Sequence, residues 1–274
     1  METLALDIGG HRTKWAIFRD GRVSDSGSYE TPSEPRRILE PLSKRSPSAV
    51  AVAFAGFAHK GRIAFSPNLP KYQGFPLADL IQEETGALVV LDNDANLFTL
   101  GEARAGAGQG FRIVLGLTLG TGIGGGLVID GRIYRGAGFA LEPGHIVVDP
   151  DGPACNCGGR GCLEAMIGEN AFSQRFGYGG AKEAFEAGDA DAWKFYGDWL
   201  GIGIANLINI LDPEAVILGG GISKAYDMFR EATESAIAGQ VVGWEKRNTR
   251  LICSALGDEA ALWGGYFLAK DTGN

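Results

Sequence analysis

A short apolar strand, a glycine turn, a second strand and the triplet Asp-Gly-Arg run from Leu4 to Arg22, and the same succession returns from Val114 to Arg132. The offset is constant, with Gly10 matching Gly120 and Asp20-Gly21-Arg22 matching Asp130-Gly131-Arg132. Asp-Gly between two apolar runs is a strong hairpin signal. Repetition of the whole unit points to two related α/β halves facing each other across a cleft, the usual place for a small ligand. At 274 residues the chain is long enough to give each half its own core.

The remaining segments fit that plan. Ser48–Phe54, Leu88–Leu91, Ala215–Leu218 and Leu251–Ser254 read as further buried strands. Leu77–Thr85, Leu97–Ala105, Ala190–Leu211 and Asp258–Ala269 have helical spacing, and Ser223 is placed to cap a helix after Gly219-Gly220-Gly221. Residues 1–110 are expected to form a smaller N-terminal domain on which the last helix, about 258–270, packs back. Residues 111–257 are expected to form the larger one.

Net charge is −8 and no basic run occurs, which argues against nucleic acid as a partner. The N-terminus lacks a basic segment leading into an apolar one, and no apolar run is long enough to span a bilayer, so no membrane contact is expected. Three of the four cysteines fall between 155 and 162, a clustering that suits a metal site in a reducing cytoplasm better than a disulfide framework.

Four motifs carry chemistry. Gly120, Gly122 and Gly125 satisfy G-x-G-x-x-G, but Leu127-Val128-Ile129 and Asp130-Gly131 follow, a strand and hairpin where a dinucleotide fold needs a helix. The turn either cradles phosphate on successive backbone amides or is simply tight. Asp7-Ile8-Gly9-Gly10 is a capped turn or a carboxylate holding Mg²⁺ through water, with Lys14 or Arg12 meeting phosphate charge. Asp94, between a strand and a helix, is an N-cap or a base that takes a hydroxyl proton during phosphoryl transfer. His145, Cys155, Cys157 and Cys162 offer one imidazole and three thiolates, a set that closes a structural zinc site and would stiffen a loop bearing Glu142 and Glu164. Those two carboxylates are suited to accepting hydrogen bonds from sugar hydroxyls.

Taken in order, Asp7-Ile8-Gly9-Gly10, Asn93-Asp94-Ala95-Asn96, Leu119–Gly126, Glu142-x-Gly144-His145, Cys155-x-Cys157-Gly158-x-x-Gly161-Cys162-Leu163-Glu164 and Leu218–Gly221 resemble the ROK family of repressors, open reading frames and sugar kinases. The resemblance implies an actin-like ATPase (ribonuclease H-like) fold binding ATP, Mg²⁺ and a hexose between two domains, with structural Zn²⁺. It implies Asp94 as the base acting on the 6-hydroxyl, and Asn68, Asn93, Glu142, His145 and Glu164 as sugar contacts. It assigns the nucleotide to the turns at Gly9-Gly10, Gly120-Thr121-Gly122 and Gly219-Gly220-Gly221, with His11 near the phosphates. His11 and Arg12 stand where the family usually has threonine and lysine, which bears on the phosphoryl donor; Ala55 and Pro143 also depart from the pattern. The first strand starts by residue 3, which favours the kinase branch over repressors with an N-terminal DNA-binding unit. The expectation is a cytoplasmic, homodimeric glucokinase. The alternatives are a kinase for fructose, mannose, N-acetylglucosamine or N-acetylmannosamine, and a sugar sensor without catalysis.

Overall fold

The computed structural model describes residues 2–40, 46–59, 62–66 and 69–273. In chain order the first half contains β1 (Glu2–Ile8), β2 (Arg12–Arg19), β3 (Arg22–Glu30), β4 (Ala49–Phe54), β5 (Phe57–His59), β6 (Arg62–Phe65), α1 (Leu77–Thr85), β7 (Leu88–Asn93) and α2 (Asp94–Ala105). Next come β8 (Ile113–Leu119), β9 (Ile123–Ile129), β10 (Arg132–Ile133), α3 (Leu163–Ile167), α4 (Glu169–Phe176) and α5 (Ala181–Ala187). The chain closes with α6 (Ala190–Leu211), β11 (Ala215–Gly219), α7 (Tyr226–Gln240), β12 (Arg250–Cys253) and α8 (Ala260–Thr272).

The sequence echo is a repeated topology. One five-stranded sheet has the order β3-β2-β1-β4-β7 and the other β10-β9-β8-β11-β12. In each, a hairpin at the start is followed by parallel strands added on the far side of the first strand. Even the hairpin turns agree: Asp20 and Gly21 have φ of 50° and 77°, Asp130 and Gly131 51° and 74°. Positive φ at both central residues matches the right-handed twist of the strands they join.

Alternation along the strands decides what covers each face. In the second sheet Leu115, Leu117, Val216 and Leu218 point into a core built with α6 and α7, while Val114, Ala215 and Ile217 point the other way with Leu97 and Phe98 of α2. In the first sheet Leu4, Leu6, Val50, Val52 and Phe54 meet Leu77 and Ile81 of α1. Its opposite face presents Ala5, Ala16, Ala49 and Ala51 to α8. Small side chains there let the helix lie close to the strands. Helices α2 and α8 pack on each other, so both sit between the two sheets, and strands buried on both faces explain their unbroken apolar runs.

Three local expectations need correction. Helix α2 begins at Asp94, because Asn93 caps it. The segment after Gly221 is first a single 3₁₀ turn, Ile222–Ala225; Ser223 lies inside it and donates to Gly220 O at 2.8 Å instead of capping α7. Helix α8 is likewise preceded by a short turn, Gly257–Glu259. Among the described residues no helix is long and apolar enough to cross a membrane.

Candidate active site

The candidate residues gather at the carboxyl ends of the parallel strands, where open α/β sheets place their ligands. At the end of β7, Asn93 Oδ1 accepts from Ala95 N at 2.9 Å and Asn96 N at 3.1 Å, and Asn93 Nδ2 donates to Gly56 O at 3.1 Å. The Asn93 oxygen is thus spent on the helix cap, leaving one amide N–H for a ligand. Asp94 follows as the first helical residue and also accepts from Ala95 N, at 2.9 Å. Burial first, then the Asp7 carboxylate, pushes the Asp94 pKa up to about 7 despite that amide, with Glu142 adding to the rise. A carboxyl group tuned to neutrality at the mouth of a sheet suits proton transfer.

Asp7, next to last in β1, lies opposite Lys14 of β2. Burial raises its pKa to about 6 against the pull of the Lys14 ammonium. Lys14 Nζ in turn lies 3.1 Å from Asp258 Oδ1, so its charge is already shared within the protein. The turn itself is fastened by Gly9 N to Arg12 O at 3.1 Å, by Thr31 Oγ1 to Gly9 O at 2.7 Å and by Thr31 N to His11 O at 2.9 Å. Gly10 and the exposed His11 form its tip. Arg12 turns to Ser28, its Nη2 2.6 Å from the hydroxyl.

The second glycine turn is held from beneath. Gly120 N donates to Gly122 O across Thr121 at 3.1 Å, Glu169 N donates to Gly120 O at 3.0 Å, and Ile123 N donates to Glu164 Oε2 at 2.9 Å. Glu164, expected as a sugar contact, has one oxygen committed to this turn, leaving the other for a ligand. Nor do all the glycines of the run face a ligand. A methyl on Gly126 would lie 2.6 Å from Thr99 Oγ1 and 2.8 Å from Ala95 O, so that glycine lets α2 rest on the β8–β9 hairpin. In the third turn Gly220 has φ of 84°, and its α-carbon faces Leu119 too closely for any side chain. Contact with the last residue of β8 thereby joins the second and third turns. Gly120 and Gly221 border open space, where a nucleotide would have room; Gly219 packs on Phe98.

Glu142 precedes a 3₁₀ turn, Pro143–His145, and follows Leu141, which has φ of 68°. A bulky residue in that region is strained, and such strain gathers at functional sites. Burial, then the Glu164 carboxylate, raises the Glu142 pKa to about 7. Asp94 thus feels the carboxylates of Asp7 and Glu142, and Glu142 that of Glu164. Asn68 lies outside the described residues.

The donor atoms of His145, Cys155, Cys157 and Cys162 lie within 4.8 Å of one another. His145 Nδ1 is 3.7 Å from Cys155 Sγ, and Cys157 Sγ is 3.7 Å from Cys162 Sγ. The edge of a tetrahedral zinc–thiolate site is about 3.8 Å for Zn–S bonds near 2.3 Å. The four residues thus fit zinc in donor chemistry and spacing, and none of the four cysteines is in a disulfide.

Sequence reasoning passed over Asp92 and Arg135, which form an ion pair directly behind Asn93 and Asp94. Nothing in their spacing marks them, since they meet only through the fold.

A family model, the ROK family, matches residues 3–272. The chain belongs to the ROK family. A glucokinase of Halalkalibacterium halodurans is 38% identical over 99% of this chain and 96% of that protein. A glucokinase of Thermotoga maritima is 34% identical over 99% and 98%. The crystal structure of a ROK family glucokinase from Streptomyces griseus in complex with glucose and AMPPNP is similar at a TM-score of 0.84 and 30% identity, covering 99% of this chain and 100% of that one. The two sheets and their helices are therefore the ROK sugar-kinase arrangement, the actin-like fold that the motifs implied.

Proposed function

We propose that this ROK protein is an ATP-dependent glucokinase transferring phosphate to the 6-hydroxyl of glucose. The carrying observation is Asp94, a carboxyl group raised to about 7 beside Asp7 and Glu142 at the mouth of the β7–α2 junction. Asp94 accepts the proton of the attacking hydroxyl. Asn93, Glu142, His145, Glu164 and Asn68 hold the sugar, with His145 also ligating zinc. Asp7, Lys14 and the turns at Gly9-Gly10-His11, Gly120-Thr121-Gly122 and Gly219-Gly220-Gly221 receive the nucleotide. Mg²⁺ would supply charge neutralisation on the phosphates, with Asp7 at the first glycine turn as the carboxylate that faces it. Zinc on His145, Cys155, Cys157 and Cys162 keeps the Glu142–Glu164 loop in shape. Full-length similarity to proteins named glucokinase supports glucose over other hexoses.

The reading includes cytoplasmic residence, where thiolate ligands stay reduced, and a homodimer, which light scattering on the purified protein would show. A coupled ADP-release assay with Mg-ATP across glucose, fructose, mannose and their N-acetylamino relatives tests the activity. The expected result is strongest turnover on glucose. Strongest turnover on another sugar moves the specificity. Sugar binding without turnover, with ATP and with polyphosphate, makes the protein a sensor.

A further inference from the structure

Behind the catalytic junction, Asp92 uses both carboxylate oxygens. Oδ1 accepts from the backbone N of Asn93 at 2.8 Å and from Asn96 Nδ2 at 2.9 Å, so it grips the residues on either side of Asp94. Oδ2 accepts from Arg135 Nε at 2.8 Å and Nη2 at 2.6 Å. The Asp92 side chain is only 9% exposed, so the guanidinium takes the place of solvent beside Oδ2. Arg135 itself opens the loop that leads to Glu142: its carbonyl accepts from Gly138 N at 2.8 Å and Ala140 N at 3.2 Å. One residue thus holds the Glu142 loop by its backbone and the Asp94 junction by its side chain.

We infer that Arg135 and Asp92 are positioning residues, a clasp that sets the Glu142 loop against the Asn93–Asp94 junction without touching substrate. The ion pair is charge-assisted and nearly sealed on the Asp92 side. Arg135 also lines a cavity of about 690 Å³, together with Leu100, Arg104, Arg132, Leu268 and Asp271. Removing the Arg135 side chain takes away the cation on Asp92 Oδ2 and enlarges that cavity, and a small cation from solvent is expected to take its place.

That opening supplies the test. In Arg135→Ala, amide hydrogen exchange is expected to quicken together in residues 92–96 and 136–146, and millimolar guanidinium is expected to restore both. Arg135→Met fills the space without the charge; it should show the same loosening, with no restoration. The catalytic consequence rests on the kinase reading above. Arg135→Ala should lose about 100-fold in kcat, the scale of a small misplacement of reacting groups, and regain much of it with guanidinium. Unchanged exchange in both segments, or exchange that guanidinium leaves as fast as before, overturns the clasp. A wild-type protein silent on every sugar overturns the kinase reading instead, and the exchange result still judges the clasp.

Discussion

At the residue scale, three carboxyl groups sit well above their ordinary range, Asp7 at about 6 and Asp94 and Glu142 at about 7. A base must be ionised to work, so kcat/KM should rise with pH through the neighbourhood of 7 in the free enzyme. Stability runs the opposite way. Between about 4 and 7 the folded chain binds more protons at these sites than the unfolded chain, so the ligand-free protein should lose stability as pH rises across that window. Asp94→Asn removes one such charge. The variant should keep its affinity for sugar, lose roughly 10²–10⁴ in turnover, and gain more in Tm over the wild type at pH 8 than at pH 5. A pH-independent Tm difference would show that Asp94 is not held near neutrality. The sequence placed Asp94 at a strand–helix junction, where spacing alone favoured a helix cap over a base. The structure separates the roles, since Asn93 takes the cap, while the environment that tunes Asp94 comes from residues distant along the chain.

At the scale of elements, the cysteine loop and the β8–β9 turn are one mechanical unit. Cys162 is the residue before α3, Glu164 lies in the first turn of that helix, and its carboxylate fastens Ile123 N. Cys157→Ser should lower bound zinc, measured by elemental analysis, and weaken sugar binding through displacement of Glu142 and Glu164. Full zinc occupancy in that variant would rule out the four-ligand set. Gly220→Ala meets a positive φ and the backbone of Leu119. A loss of about 1–3 kcal/mol in urea unfolding is expected, with a raised KM for nucleotide. Much of this level was legible beforehand. Leu77–Thr85 and Ala190–Leu211 match α1 and α6 to the residue, because amphipathic spacing and their terminal signals agree. The Gly124–Gly126 stretch was not legible, because a glycine required by a helix packed upon it reads the same as one offered to phosphate. Contacts such as Arg135 with Asp92 leave no local pattern at all.

At the scale of the whole molecule, the repeated strand order was visible through one glycine and one Asp-Gly-Arg triplet per half. We propose the domain boundary near residue 110, with 111–257 as the second unit and α8 returning to the first sheet, against whose β1 and β4 it packs. What ties the halves was hidden: Glu102, fully buried on α2, accepts from Ala107 N, Ser254 Oγ, Ala255 N and Leu256 N. Three of these partners lie between β12 and α8. Glu102→Ala would strand them without an acceptor, and a loss of about 3 kcal/mol in chemical denaturation is expected. The β8–β9 hairpin has a related standing on the site side. It carries α2 on one face, abuts Gly220 at its end and is pinned by Glu164 at its turn. For anyone wishing to redirect this enzyme to another sugar, that makes 116–126 the datum from which every other position is measured. Mutant libraries should leave it untouched and spend their diversity on side chains that face the sugar from outside it, where a contact can change while the reference surface stays still.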